Sequence, residues 1–318
     1  YPELNRYEKE VATVYREHHF RHIWYDTTGI IEFGYTLYNK VKDLETEGVS
    51  SGFPYQLILD GVFEKDREYK LTPTETELML TNLYLFYAEK VYKGMDEDTT
   101  KAIGWLLPRK KLSYSGLLDS IMSDTSLLVR DEKVLFGQYY KLRDVLQRYR
   151  EIEKKGGWNP IESDPKLKAY KPGDTAQAIL QIRERLFITG DIEQNNKSNQ
   201  YDPELAGAII KYQQRNGLNT DERITPKLIA EMNVPISERI TKIIVNMERC
   251  RWISPDFGKD GSYIVVNIPS FRLNMVKNGQ PVFQSPVIVG AVMTKTVIFS
   301  GMLSYVVFSP YWNLPQSI

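Results

Sequence analysis

The chain has 318 residues, with 41 Lys+Arg balanced by 41 Asp+Glu, 42% hydrophobic residues and 12% aromatic residues. At roughly 100–200 residues per domain, this length makes two or three domains with sizeable cores, and the single cysteine, Cys250, excludes a disulfide scaffold. Zero net charge without any long Lys/Arg run leaves no electrostatic footprint for nucleic acid, and no stretch approaches the ~20 apolar residues of a membrane helix.

The amino terminus, Tyr1-Pro-Glu-Leu-Asn, lacks the charged-then-apolar layout of a signal peptide. A mature exported protein looks the same, and one cysteine suits either a cytosolic or an exported chain, so the compartment stays open. Next in order stand the chain's three histidines, His18, His19 and His22, in a segment that reads as one helix. There His18 and His22 share a face at four-residue spacing, as in a two-histidine metal site. No Glu lies between them in the zincin arrangement, and Glu17 and Asp26 complete no ligand set, so surface or packing histidines are the plainer reading.

Up to about Pro165 the pattern is mostly helical. Thr72-Pro73-Thr74-Glu75 is a start signal and Gly94 a stop, and Leu78, Leu80, Leu83, Leu85, Phe86, Tyr87 and Val91 describe a helix buried on much of its circumference. A second helix runs from about Leu135 to Glu153, with Tyr139, Leu142, Val145, Leu146 and Tyr149 at three- and four-residue spacing and a charged face opposite. Lys155 to Pro165, rich in Gly, Pro, Asn and Ser, reads as a domain boundary.

A compact unit over about 171–235 follows. Its first helix takes Asp174 as cap and carries Ala178, Ile179, Ile182 and Leu186. The second has Asp202 as cap, Pro203 at its first position and Gly217 at its end, and its Tyr212 keeps helical spacing with Leu205 and Ile209, which is a core placement. The third opens at Thr225-Pro226 with Leu228, Ile229 and Met232 inside. A further helix, about Ser237 to Arg251, is apolar at Ile240, Ile243, Ile244 and Met247.

After Gly258 the period changes to two. Ile264, Val266 and Ile268 take one phase for burial, Phe271, Leu273 and Met275 the other, so Pro269-Ser270 is a turn or bulge. Asn278-Gly279 signals a hairpin, because both positions tolerate positive φ. Pro281 to Gly290 and Leu303 to Ser309 supply two more expected strands. The fold class is multidomain α+β.

The segments Asp174 to Leu186, Thr189-Gly190-Asp191, Tyr201-Asp202, Tyr212 to Leu218 and Ile224 to Leu228 together resemble the three-helix peptidoglycan-binding domain. Asn233-Val-Pro235, Arg239-Ile240 and Asn246 to Trp252 resemble the linker helix of large Gram-negative L,D-transpeptidases. Tyr263 to Phe271, Val287 to Gly290, Lys295-Thr296 and Val306 to Pro315 resemble the start of their catalytic domain, and the three resemblances together run over about 145 residues. Tyr15 to Trp24, Leu78 to Tyr87 and Trp105-Leu-Leu are similar to the helical scaffold that such enzymes carry first. The resemblance implies a helical scaffold over 1–168, a peptidoglycan-binding-like domain over 169–235, a linker helix over 236–258 and the amino-terminal part of the catalytic domain over 259–318.

It also implies a chemistry. Relatives attack a tetrapeptide stem with a cysteine thiolate in a Ser-x-Gly-Cys-x-Arg segment that follows a His-Gly segment, and neither occurs here. By that pattern the catalytic residues lie downstream of Ile318, the sequence stops inside a domain, and the printed chain is inactive. Cys250, flanked by arginines that favour a thiolate in principle, has no histidine near it and reads as a small apolar helix residue.

The resemblance further implies stem-peptide contact by Tyr311, Trp312 and Asn313, although a tryptophan beside prolines serves equally as a core plug. Glycan contact falls to Tyr201, Arg215 and Asn216, and Asp221-Glu222 stands where the family has Asp-Gly. The implied partner is peptidoglycan in the periplasm or cell envelope, with the protein peripheral to the membrane at most. No cofactor and no metal are required, and a carbapenem is the expected acylating inhibitor. The rival reading is a non-catalytic peptidoglycan-binding or scaffolding protein.

Overall fold

The computed structural model describes residues 6–64, 71–124, 134–164, 166–258, 261–291, 293–309 and 311. The chain is α+β: helices build two hydrophobic cores, and a small antiparallel sheet follows them.

Helix α1 (Glu8–Glu17) leads into a two-residue ribbon, β1 (Tyr25–Asp26) and β2 (Gly29–Ile30), and then α2 (Glu32–Lys42) and α3 (Gln56–Phe63). The first core is organised around α4 (Pro73–Tyr87). Its start is the capping box legible in the sequence: the Thr72 hydroxyl accepts from the Glu75 amide at 3.3 Å, and Glu75 accepts from the Thr72 amide at 2.8 Å. Leu80, Leu83 and Leu85 are fully buried, so α4 is enclosed on almost every side. At its end the winding loosens into a π turn over Ala88–Lys93, closed by Gly94 at φ 70°.

After α5 (Glu97–Ala102) and α6 (Tyr114–Ser123), helix α7 (Gln138–Lys154) forms the other wall of this core. The second core uses α8 (Gln177–Thr189), α9 (Pro203–Arg215) and α10 (Pro226–Met232), closing over Ile179, Ile182, Leu186, Leu205, Ile209, Tyr212 and Ile224. Asp202 and Thr225 cap α9 and α10 from the residue before a proline, accepting from Leu205 at 2.9 Å and Leu228 at 3.2 Å. Asp174 is not the cap of α8. Its carboxylate accepts from the Lys171 amide at 2.8 Å, and Ala176 takes the cap position in extended backbone beside the Thr175–Gln200 bridge.

Helix α11 (Ile236–Trp252) is called a linker by chain order, yet in space it joins the first core. Ile240, Met247 and Cys250 are buried there, and Ile236, Ile243 and Ile244 pack against it alongside α7. The apolar stripe at three- and four-residue spacing is what makes this docking favourable.

The sheet is a meander of β3 (Ser262–Asn267), β4 (Arg272–Lys277) and β5 (Gln280–Pro286), in the order β3-β4-β5. A short 3-10 turn at Ile268–Ser270 makes the first reversal, and Asn278-Gly279, at φ 50° and 74°, makes the second. Two expectations need correction. Leu303 to Ser309 forms no ladder among the described residues, because alternation prepares a strand without providing a neighbouring edge. Ile264 and Val266 are 49% and 44% exposed rather than buried, since no layer among the described residues covers that face.

Candidate functional site

Among the described residues no group of His, Cys, Asp and Glu is arranged to hold a metal ion. The placement of the three histidines in one helix fails on local geometry. Helix α1 ends at Glu17, and His19 and Phe20 turn into the left-handed region at φ 53° and 56°, so His18 and His22 share no helix face. They separate: His18 Nε2 lies 3.1 Å from Asp119 and His22 Nδ1 lies 3.5 Å from Glu77.

Cys250 sits in the first core on α11, 6% exposed, and burial pushes its thiol up to about 11 against a smaller opposing pull from Arg251. A thiol so placed is neither ionised at neutral pH nor reachable by a peptide.

Beside it lies a buried polar cluster centred on Arg251. Arg251, 1% exposed, donates from Nε to the Val91 carbonyl at 2.9 Å and from Nη1 to Glu248 at 2.7 Å. Its Nη2 reaches the Glu47 carbonyl at 2.6 Å and the Tyr139 hydroxyl at 3.2 Å. Glu248 in turn accepts from the Met95 amide at 2.6 Å and the Trp252 indole at 2.8 Å. Gly94 is required here twice over, by its positive φ and because a Cβ would run into the Glu248 carboxylate. The cluster locks the end of α11, where the chain leaves for the sheet, to the π turn and to α7.

In the sheet segment, the loop after β5 folds back on itself. The Gly290 amide donates to the Thr296 hydroxyl at 2.7 Å, the Ala291 amide to the Thr294 hydroxyl at 3.3 Å, and a Cβ on Gly290 would collide with the Thr294 carbonyl. In the sequence Lys295-Thr296 figures only in the family resemblance; the close spacing of glycine and hydroxyl residues over 290–296 is the local signal for this closure. Of the residues expected to meet a stem peptide, Tyr311 is 97% exposed, while Trp312 and Asn313 lie outside the described residues.

The residues expected to meet glycan are not brought together as a groove. Tyr201 is 1% exposed and its hydroxyl donates to the Glu222 carbonyl at 2.6 Å, which leaves it no surface to offer a sugar. Arg215 is committed to Asp191 at 3.0 and 2.6 Å, with Nη1 at 3.4 Å from the Tyr149 hydroxyl. Asn216 donates to the Tyr212 carbonyl at 2.8 Å. Next to them Arg183, fully buried, ties the 195–200 loop to α9 through the Ser198 and Gln200 carbonyls and Asp202.

Comparison with known proteins gives two family matches in chain order. Residues 9–146 match the scaffold domain, and residues 261–318 match the L,D-transpeptidase catalytic domain. A Haemophilus influenzae protein named "Putative L,D-transpeptidase" is 40% identical over 74 residues, which are 23% of this chain and 14% of that protein. The aligned stretch therefore spans about a seventh of the relative's length. Together the matches support an L,D-transpeptidase with a scaffold domain. No described helix is long and apolar enough to cross a membrane.

Proposed function

We propose, from the premise that this chain pairs a scaffold domain with an L,D-transpeptidase catalytic segment, that it serves acyl transfer on peptidoglycan stem peptides in the periplasm or cell envelope. The observation that carries this reading is the order of the two matches, with a three-helix unit between them whose sequence resembles a peptidoglycan-binding domain.

The chemistry follows the thiol route. A thiolate adds to the carbonyl of a tetrapeptide stem, the terminal D-residue leaves as its amine takes a proton, and the thioester is opened by an amine of a neighbouring stem. An imidazole must accept the thiol proton, and backbone N–H groups must hold the tetrahedral oxyanion. Cys250 is unsuited to this by its burial and raised pKa, and the histidines sit on the scaffold against Asp119 and Glu77. The reading therefore gives neither the nucleophile nor the base to Cys250 or to the three histidines of residues 1–318. Tyr311, Trp312 and Asn313 are assigned to the stem peptide. Arg215 and Asn216 remain as glycan contacts, at the edge of the second core.

A carbapenem offers the test. The protein isolated from its own cells is exposed to the drug and its peptides are mapped by mass. Acylation of a cysteine other than Cys250 supports the reading. Acylation of Cys250, or retention on peptidoglycan without any acylation, overturns it, the latter in favour of a binding or scaffolding protein.

A further inference from the structure

The loop 293–300 has few contacts of its own: Met293, Val297 and Phe299 are 92%, 57% and 73% exposed. At one place it meets the scaffold, where Ile298 pairs backbone to backbone with Trp105 as an isolated parallel bridge. The Trp105 ring stands edge-on to Trp252, with centroids 4.9 Å apart, and the Arg109 guanidinium lies 5.6 Å from the Trp252 ring. The Lys110 amide donates to the Trp252 carbonyl at 3.2 Å. One short scaffold stretch thus touches the chain on both sides of the sheet: at Trp252, before β3, and at Ile298, after β5.

Two attachment points have a consequence that one lacks. A segment joined to its neighbour by a single linker reorients freely unless an interface holds it. A second contact, 46 residues further along the chain, fixes the orientation of what lies between. We infer that scaffold residues 105–110 are a seat that sets the position of the sheet segment and its 294–300 loop, with Trp105 as the positioning residue. The ring makes the seat rather than the indole N–H, which is buried without an acceptor among the described residues. Phenylalanine therefore replaces Trp105 with little loss, and alanine does not.

Hydrogen exchange on the whole 318-residue chain, read by mass spectrometry, tests this for Trp105→Phe, Trp105→Ala and Ile298→Asp. Both Trp105→Ala and Ile298→Asp are expected to speed exchange of the 296–300 amides at least about tenfold. Trp105→Phe stays within about twofold of the parent, and the β4–β5 hairpin is unchanged in all three. Unaltered exchange in Trp105→Ala, an equal loss in Trp105→Phe, or no protection of 296–300 in the parent overturns the seat. If Trp105→Ala also loosens α4, Ile298→Asp decides: faster exchange at 104–107 upholds the proposal and no change there refutes it.

Discussion

Replacing Arg251 with methionine probes the joint on which the whole arrangement rests. The substitution keeps much of the side-chain volume against Tyr139 and removes the charge and every donor. Glu248 then loses its 2.7 Å partner, while the carbonyls of Val91 and Glu47 lose donors at 2.9 and 2.6 Å. Removing one member of a buried pair costs ~3–5 kcal/mol, most of it the stranded partner, and each orphaned buried acceptor costs ~1–3 kcal/mol. The contributions overlap, so the expected loss is about 3–5 kcal/mol, a large part of the ~5–15 kcal/mol that typically holds a domain. With two cores in the chain a single two-state fit is unsafe. Hydrogen exchange in urea, followed separately for α7 in the first core and α9 in the second, is the better assay. The α7 amides should lose that stability and the α9 amides should lose under about 0.5 kcal/mol, as expected away from a substitution. A loss below about 1 kcal/mol in α7 would show that the cluster is not what fixes α11.

Other consequences are as definite. Burial, helped by the charges of Arg251 and Arg109, pulls the Lys110 ammonium down to about 7. Below that pH it is charged in both states and its burial cost is fully present; between about 7 and the ordinary lysine value near 10.4 the unfolded chain binds more protons, so stability rises with pH. Lys110→Met should stabilise the first core at pH 6 and flatten its rise towards pH 9 in denaturant titrations, and an unchanged slope would refute the assignment. Cys250 should react with iodoacetamide at pH 8 at least about a hundredfold more slowly in the folded chain than in urea, and comparable rates would contradict its burial. Asp202→Ala removes the α9 cap and the partner of Arg183, at a cost of about 1–3 kcal/mol to the second core by chemical denaturation. Burial opposes ionisation of Asp202, but the Arg183 and Leu205 bonds outweigh it and hold the carboxyl below its usual range. That stability is present at neutral pH and is lost as pH falls through the depressed value. Tyr201→Phe should cost about 1 kcal/mol of stability and leave retention on peptidoglycan unchanged in a pull-down.

What the sequence disclosed was whatever is decided within a few residues. The Thr72–Glu75 box, the Asp202-Pro203 and Thr225-Pro226 starts and the Asn278-Gly279 turn all depend on bonds spanning three or four positions. Where a distant partner wins, the local signal misleads. Asp174 looks like a cap, but pairing of Thr175 with Gln200 keeps the backbone extended past it. The histidine segment carries no glycine to announce its left-handed turn at His19 and Phe20. The charged cluster was hidden for a simpler reason: Arg251 and Glu47 are 204 positions apart, and an arginine near a helix end reads as solvated until the fold buries it. Tyr201 shows the converse, an aromatic beside polar loops that the three-helix packing takes inward.

The central claim is that this fold presents a catalytic segment whose thiol is not Cys250. It is tested most directly by the intact mass of the protein taken from its own cells, before and after a carbapenem, against the 36.9 kDa of these 318 residues. The account predicts that the drug leaves Cys250 unmodified and forms a single adduct on another cysteine of the protein. An adduct on Cys250, or a protein of 36.9 kDa that still transfers stem peptides, would contradict it.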